Sequence, residues 1–199
     1  PDFGTSMGYV ALVLAMLYFY GTPWTHFAAL AAAGLSAFVA LVWLLPLAGI
    51  ELIKSYQMDR LLVFLDPGRD PGGSGYNVVQ SMIAVGSGSL TGRGEQATQT
   101  TLDFLPEHHT DFIFSVIGER FGFVGAVVLL SLYAVVLWRA LRIATLSRDM
   151  YGSIMAGGIA AMLLFQMFVN IGMTIGIMPV TGIPLPFVSY GGAAMITFL

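Results

Sequence analysis

LPEHHTDFIFSVIGER (residues 105–120) runs directly into FGFVGAVVLLSLYAVVLW (residues 121–138). The second block carries no charge, and a helix of about 20 such residues, rising 1.5 Å each, crosses about 30 Å of hydrocarbon. The first block is polar, with Glu107, His108, His109, Thr110, Asp111, Glu119 and Arg120 in close succession. Pro106 can open a helix, since its missing N–H would be unpaired there anyway. An acidic start suits the helix dipole. Glu107 and Asp111, four apart, then fall on one face. Two carboxylates side by side are costly unless a cation or a proton joins them. The stretch is therefore either a structural ion cluster or a reactive site.

Composition sets the class. Of the 199 residues, 57% are hydrophobic and 10% charged, whereas soluble domains carry about 25% charged residues. The expected fold is all-α: a polytopic transmembrane helix bundle with a large, partly helical extracytoplasmic loop. The absence of cysteine excludes disulfides and thiolate metal sites. No basic tract suggests nucleic acid as a partner. The chain opens at Pro1 and stops at Leu199 inside an apolar run, so residues 1–199 are expected to be a fragment of one larger multi-span membrane domain.

Spans are expected at about 6–21, 25–45, 121–141 and 151–173, with a truncated one at 190–199. Tyr18, Tyr20 and Trp24 suit an interfacial aromatic belt. Ala28, Ala29, Ala31, Ala32, Ala33 and Gly34 would permit close helix packing. The segment 46–120, read as loop, is different in kind. With its flank to 122 it holds nine of the eleven acidic residues. Residues 51–65 could form an amphipathic helix. Residues 76–85, which include Asn77, Gln80 and Ser81, are too short to span and end at Gly86-Ser87-Gly88, so they suit an interfacial or re-entrant helix. Three prolines, Pro179, Pro184 and Pro186, prevent a regular span in the segment 178–192. Arg139, Arg142 and Arg148 place their short loop in the cytoplasm by the positive-inside rule. Asp2, the segment 46–122 and the proline-rich segment then converge on the outer face.

Asp111 is the sharpest candidate for chemistry. Its bland reading is a helix cap or a partner for Arg120. Its functional reading is a general base, its affinity for a proton raised by Glu107 and by burial. Adjacent histidines point to different sides of a helix, which disfavours one zinc site built from His108, His109 and both carboxylates. A hard divalent ion (Mg or Mn) held by Asp111, Glu107 and a phosphate-bearing substrate suits the residues better. No organic cofactor is expected. Lys54, Arg60 and Arg93 are either surface cations near lipid headgroups or phosphate contacts, and Arg93 between Gly92 and Gly94 is the least helical of them. Gln80, Glu107, Thr110 and Ser189 complete the expected substrate-binding set. Gln166 and Asn170 read as hydrogen-bonding glue between helices, or as the lining of a lipid path.

The motifs PDFGTS, YQMDRLLVFLDPGRDPGGSGYNVVQSMIAVGSGSLTGRG, FLPEHHTDFIFSVIGERFGFVG and FQMFVNIGMTIGIMPVTGIPLPFVSYGG together resemble the SEDS (shape, elongation, division and sporulation) family of RodA and FtsW, with the elongation type, RodA, the nearer. The resemblance covers nearly the whole chain and suggests the second half of such a protein. It implies a peptidoglycan glycosyltransferase polymerising lipid II outside the bacterial cytoplasmic membrane. The substrates would be lipid II and a polyprenyl-pyrophosphate-linked glycan among membrane lipids, and the partner a class B penicillin-binding protein acting as transpeptidase. It makes Asp111, in HTDFIF, the essential carboxylate. Arg120 and Phe121 depart from the acid and Leu that members often carry, and Ala193-Ala194 from serines. A lipid II flippase and a non-catalytic scaffold for the transpeptidase are the rival readings.

Overall fold

The computed structural model describes residues 3–40, 63–64, 66, 73–97 and 110–190. Lys54, Arg60, Glu107, His108, His109, Ala193, Ala194, the end of the second expected span and residues 191–199 of the last lie outside the described residues. Five helices are described: α1 (Phe3–Phe19), α2 (Trp24–Val39), α3 (Ser74–Ser87), α4 (Ile113–Leu146) and α5 (Met150–Thr174), with a 3-10 turn at Gly94–Gln96. No strand occurs among the described residues, as the all-α reading expects. Helices α4 and α5 are long and apolar enough to cross a membrane, and α1 and α2 are shorter apolar helices.

Packing follows from small residues. Gly4 and Gly8 on α1 meet α5 and the segment after it, while Gly157 and Gly158 on α5 receive α1. A Cβ on Gly8 would stand 3.3 Å from Met162 Cε, and one on Gly158 would stand 3.2 Å from Leu12 Cδ1. The Phe19 ring covers Gly157. Lipid is as apolar as a side chain, so close van der Waals approach of this kind is what draws helices together in a bilayer. Leu137 of α4 packs on Ala160 and Leu163 of α5, flanked by Ala140 and Met167. The outer face of α4 exposes Phe123, Val124, Val128, Leu132 and Val135, an apolar surface suited to lipid rather than water. None of α2 is buried, and nothing among the described residues lies within 4 Å of a Cβ built on Gly34. The alanine-rich stripe therefore packs on none of the described helices.

These contacts run α1 and α4 antiparallel to α5, which gives the bundle two distinct ends. One end holds the turn at Gly21 (φ +87), the Tyr18–Trp24 ring contact at 6.1 Å and the 147–149 connection. Near it the guanidinium groups of Arg139 and Arg142 sit 5.9 and 5.5 Å from the Trp138 ring centroid, a cation–π arrangement suited to a membrane interface. The other end gathers the start of α1, the start of α4 and the proline-rich segment after α5. Helix α5 closes there because Ile177 N–H and Met178 N–H both reach the Gly172 carbonyl, at 2.8 and 3.1 Å, around Gly176 (φ +77).

Helix α4 begins at Ile113, inside the stretch read as loop, and is broken at Gly122 (φ 62, ψ −157). Charge at Glu119 and Arg120 suggested a span starting only at 121. Burial of Glu119, fully inaccessible, lets the helix run through it while Arg120 stays exposed. The break would orphan backbone groups, and the turn after α3 takes them up. Phe123 N–H donates to Ser89 O (2.9 Å), Val124 N–H to Leu90 O (3.1 Å), and Arg93 N–H to Glu119 O (2.8 Å). Beyond the break, residues 123–146 still rise about 36 Å, enough to span.

The conformation of Gly122 is one that only glycine adopts readily, and a Cβ there would also press on the Gly88 carbonyl oxygen and the Leu90 carbonyl carbon, each at 2.8 Å. Gly122→Ala is therefore expected to cost about 1–3 kcal/mol from backbone strain alone, read as a lowered thermal unfolding midpoint in detergent.

Candidate active site

The site starts from a turn. Residues 110–112 precede α4, and Phe112, 2% exposed, anchors them inward. Phe112 is the N-cap position, at φ −107 and ψ 27, with no side-chain cap, and Ser115 N–H reaches its carbonyl at 3.0 Å. Asp111 is thus in the turn before the helix, half-buried, where the positive end of the helix dipole favours a carboxylate. The helix expected from Glu107 onward, with Asp111 on its face beside Glu107, is not what forms around Asp111. The chain turns at 110–112 with the Phe112 side chain buried.

Three backbone segments meet at Asp111. Asn170 of α5, fully buried, donates both hydrogens of its Nδ2 amide, one to Asp111 O and one to Ile183 O, each at 2.8 Å. Ser189 Oγ donates to Thr110 O (2.7 Å) and accepts from Leu185 N–H (2.8 Å). Gly182 (φ +72) lies beside the carboxylate: a Cβ there would stand 3.4 Å from Asp111 Oδ2. The start of α1 closes the third side, since a Cβ on Gly4 would come 2.9 Å from Ile183 Cγ1 and from Thr181 O. The proline-rich segment is therefore neither lipid-facing nor a loose loop. Thr181, Ile183, Leu185, Pro186 and Ser189 are buried, the Tyr133 hydroxyl donates to Pro186 O, and Tyr190 is exposed.

Of the expected site residues, Asp111, Thr110 and Ser189 come together. Ser189 differs from Tyr190 in that its hydroxyl is committed to two backbone groups. Arg93 is exposed and held through its N–H at the Glu119 carbonyl, six residues beyond the first residue of α4, about 9 Å along the axis from Ile113. Gln80 is half-buried on α3, and its neighbour Ser81 ties the helices: Ser81 Oγ lies 2.6 Å from Ser115 Oγ and donates to Thr174 O at 2.8 Å. Asn170 was read as glue between helices. It instead joins a helix to two loops, and its Oδ1, like Gln166 Oε1, is buried without a hydrogen-bond partner among the described residues. Its four-residue spacing from Gln166 gave a signal of polarity in a span, but none of these acceptors.

A divalent ion has little to hold it among the described residues. They contain no group of three or more His, Cys, Asp or Glu side chains. Magnesium commonly uses one or two carboxylates and takes its remaining ligands from substrate phosphates and water. Asp111 fits only that mode.

A family model described as "Cell cycle protein", of the FtsW, RodA and SpoVE proteins, matches residues 1–199. Over 200 residues the chain is 44% identical to peptidoglycan glycosyltransferase MrdB of Escherichia coli (strain K12), covering 100% of this chain and 52% of that protein. Over 199 residues it is 42% identical to stage V sporulation protein E of Bacillus subtilis (strain 168), again covering 100% and 52%. A solved structure concerned with structural coordination of polymerization and crosslinking by a peptidoglycan synthase complex contains a chain that matches with TM-score 0.73 and 35% identity, covering 98% of this chain and 52% of that one. The chain thus spans about half the length of the curated relatives it matches.

Removing the Ser189 hydroxyl would take the side-chain acceptor from the N–H of buried Leu185 and the tie from the Thr110 carbonyl. Ser189→Ala is expected to lower stability by about 1–3 kcal/mol, measured by thermal or denaturant unfolding of the solubilised protein.

Proposed function

Because the chain belongs to the FtsW/RodA/SpoVE family, we propose that this protein is a peptidoglycan glycosyltransferase that polymerises lipid II into glycan strands during cell elongation. The observation that carries the reading is the setting of Asp111. Its carboxylate lies beside Gly182, which has no side chain to obstruct approach, on a turn whose two carbonyls are tied down by Ser189 and Asn170.

In the proposed reaction the donor is a growing glycan on a polyprenyl pyrophosphate and the acceptor is lipid II. An Asp111 carboxylate oxygen takes the proton of the acceptor sugar's 4-hydroxyl. The 4-hydroxyl oxygen of the acceptor sugar, having given up that proton, forms a bond to the donor's anomeric carbon as the bond from that carbon to the pyrophosphate oxygen breaks, with inversion, and the polyprenyl pyrophosphate leaves. General-base help of this kind is worth about a hundredfold to ten-thousandfold. A fixed turn contributes by holding the base where the proton leaves. The departing pyrophosphate needs positive charge. Arg93, exposed at the α4 break, is a described candidate, and Lys54 and Arg60 are candidates outside the described residues. A magnesium or manganese ion, held by Asp111, Glu107 and the substrate's phosphates, would supply further charge there. Thr110 and Gln80 are the remaining candidates for contact with the sugar.

Arg139, Arg142 and Arg148 lie at the bundle end opposite Asp111, and the positive-inside rule then supports an active face outside the bacterial cytoplasmic membrane. The likeness to a chain of a peptidoglycan synthase complex supports a class B penicillin-binding protein as transpeptidase partner.

The test uses the full-length protein with its transpeptidase partner and lipid II. Asp111→Asn and Asp111→Ala are expected to lose polymerisation by about a hundredfold to ten-thousandfold with an unchanged unfolding midpoint. Polymer formed by folded Asp111→Ala at the wild-type rate would remove the base assignment and favour a scaffold. Lipid II translocation that persists while polymerisation is lost would exclude transport as the role of Asp111.

A further inference from the structure

We propose that Asn170 is a positioning residue for glycosyl transfer, a clasp that fixes the proton-accepting carboxylate of Asp111 against the Gly182 rim; the proposal rests on Asp111 being the base. A primary amide has two N–H hydrogens on one nitrogen. In Asn170 one goes to the carbonyl of Asp111 itself and the other to the carbonyl of Ile183, the residue after Gly182, both at 2.8 Å. Those acceptors belong to segments that precede and follow α5 in the chain, 59 residues before Asn170 and 13 after it. One side chain thus sets the separation between the base and the wall beside it.

The amide orientation is fixed by its surroundings. Turned over, Asn170 would set Oδ1 against two carbonyl oxygens, and both contacts would be repulsive. In the observed orientation Oδ1 is buried with no hydrogen-bond partner among the described residues. Leaving an acceptor bare in the interior is unfavourable, so packing alone gives no reason for an amide here. The reason lies in the donors. Asn170 is fully buried and acts through the backbone of Asp111, not on substrate. Ser189 fixes the preceding carbonyl, that of Thr110, and takes the N–H of Leu185, whereas Asn170 grips Asp111 itself and the residue next to Gly182.

The experiment uses full-length protein with its transpeptidase partner and lipid II, reading kcat, KM and the unfolding midpoint. Asn170→Ala removes the clasp. Asn170→Asp keeps the size and, when ionised, offers no donor. Loosened orientation without loss of binding should lower kcat by about a hundredfold with KM for lipid II unchanged in whichever variant retains a cooperative unfolding transition. Wild-type kcat in a folded variant would overturn the proposal. So would kcat, KM and midpoint falling together, or failure of both variants to fold, since either makes Asn170 a packing residue. Asp111→Asn in the same assay separates the two levels. Wild-type kcat there ends the base reading itself, whereas an inactive Asp111→Asn beside fully active Asn170 variants rejects the clasp alone.

Discussion

An unpaired peptide group in hydrocarbon costs several kcal/mol, and α4 is interrupted at Gly122 where the helix enters its long apolar run. The structure is arranged around meeting that demand. The turn at Ser89, Leu90 and Arg93 supplies backbone partners at the break, so α4 is joined to the end of α3 through main chain there, in addition to the Ser81–Ser115 side-chain hydrogen bond. Close approach is possible because Gly88, Gly92, Gly118 and Gly122 meet where any Cβ would collide. The part of α4 before the break, 113–121, follows directly on the Asp111 turn.

From that platform the site is completed by segments that are not helical at all. The proline-rich stretch after α5 forms no regular helix, so its backbone groups are met partly within the stretch, at Leu185 and Ser189, and partly by Asn170 and Tyr133. Bare backbone is tolerated at membrane depth only when buried in protein or facing water. Here most of it is buried, and Gly182 and Tyr190 are exposed beside the carboxylate end of the bundle. The polar side chains in this region therefore serve mainly to anchor main chain, which leaves Asp111 as the half-buried carboxylate they surround.

Much of this was legible in the sequence. Low charge and long apolar runs gave an all-helical membrane protein, and the family motifs pointed to Asp111. The boundaries of α4 were not legible, because charge at Glu119 and Arg120 looks like the end of a span. Glu119 is nevertheless buried in mid-helix, through tertiary contacts that no local pattern marks. Asn170 was visible as a polar residue in a span, but its partners are carbonyls, which every residue possesses and no pattern marks. The alanine-rich stripe of α2 meets none of the described helices, since small residues specify that a helix can approach closely, not which neighbour it meets.

The contacts that shape the Asp111 turn join residues far apart along the chain: 59 residues to Asn170 and 79 from Thr110 to Ser189. During synthesis the turn leaves the ribosome long before either partner exists. A nascent chain can insert α4 and still have no assembled centre until residues 170–189 emerge and fold back. Insertion of α4 can thus precede the contacts that shape the Asp111 turn, and partly made chains carry Asp111 without them.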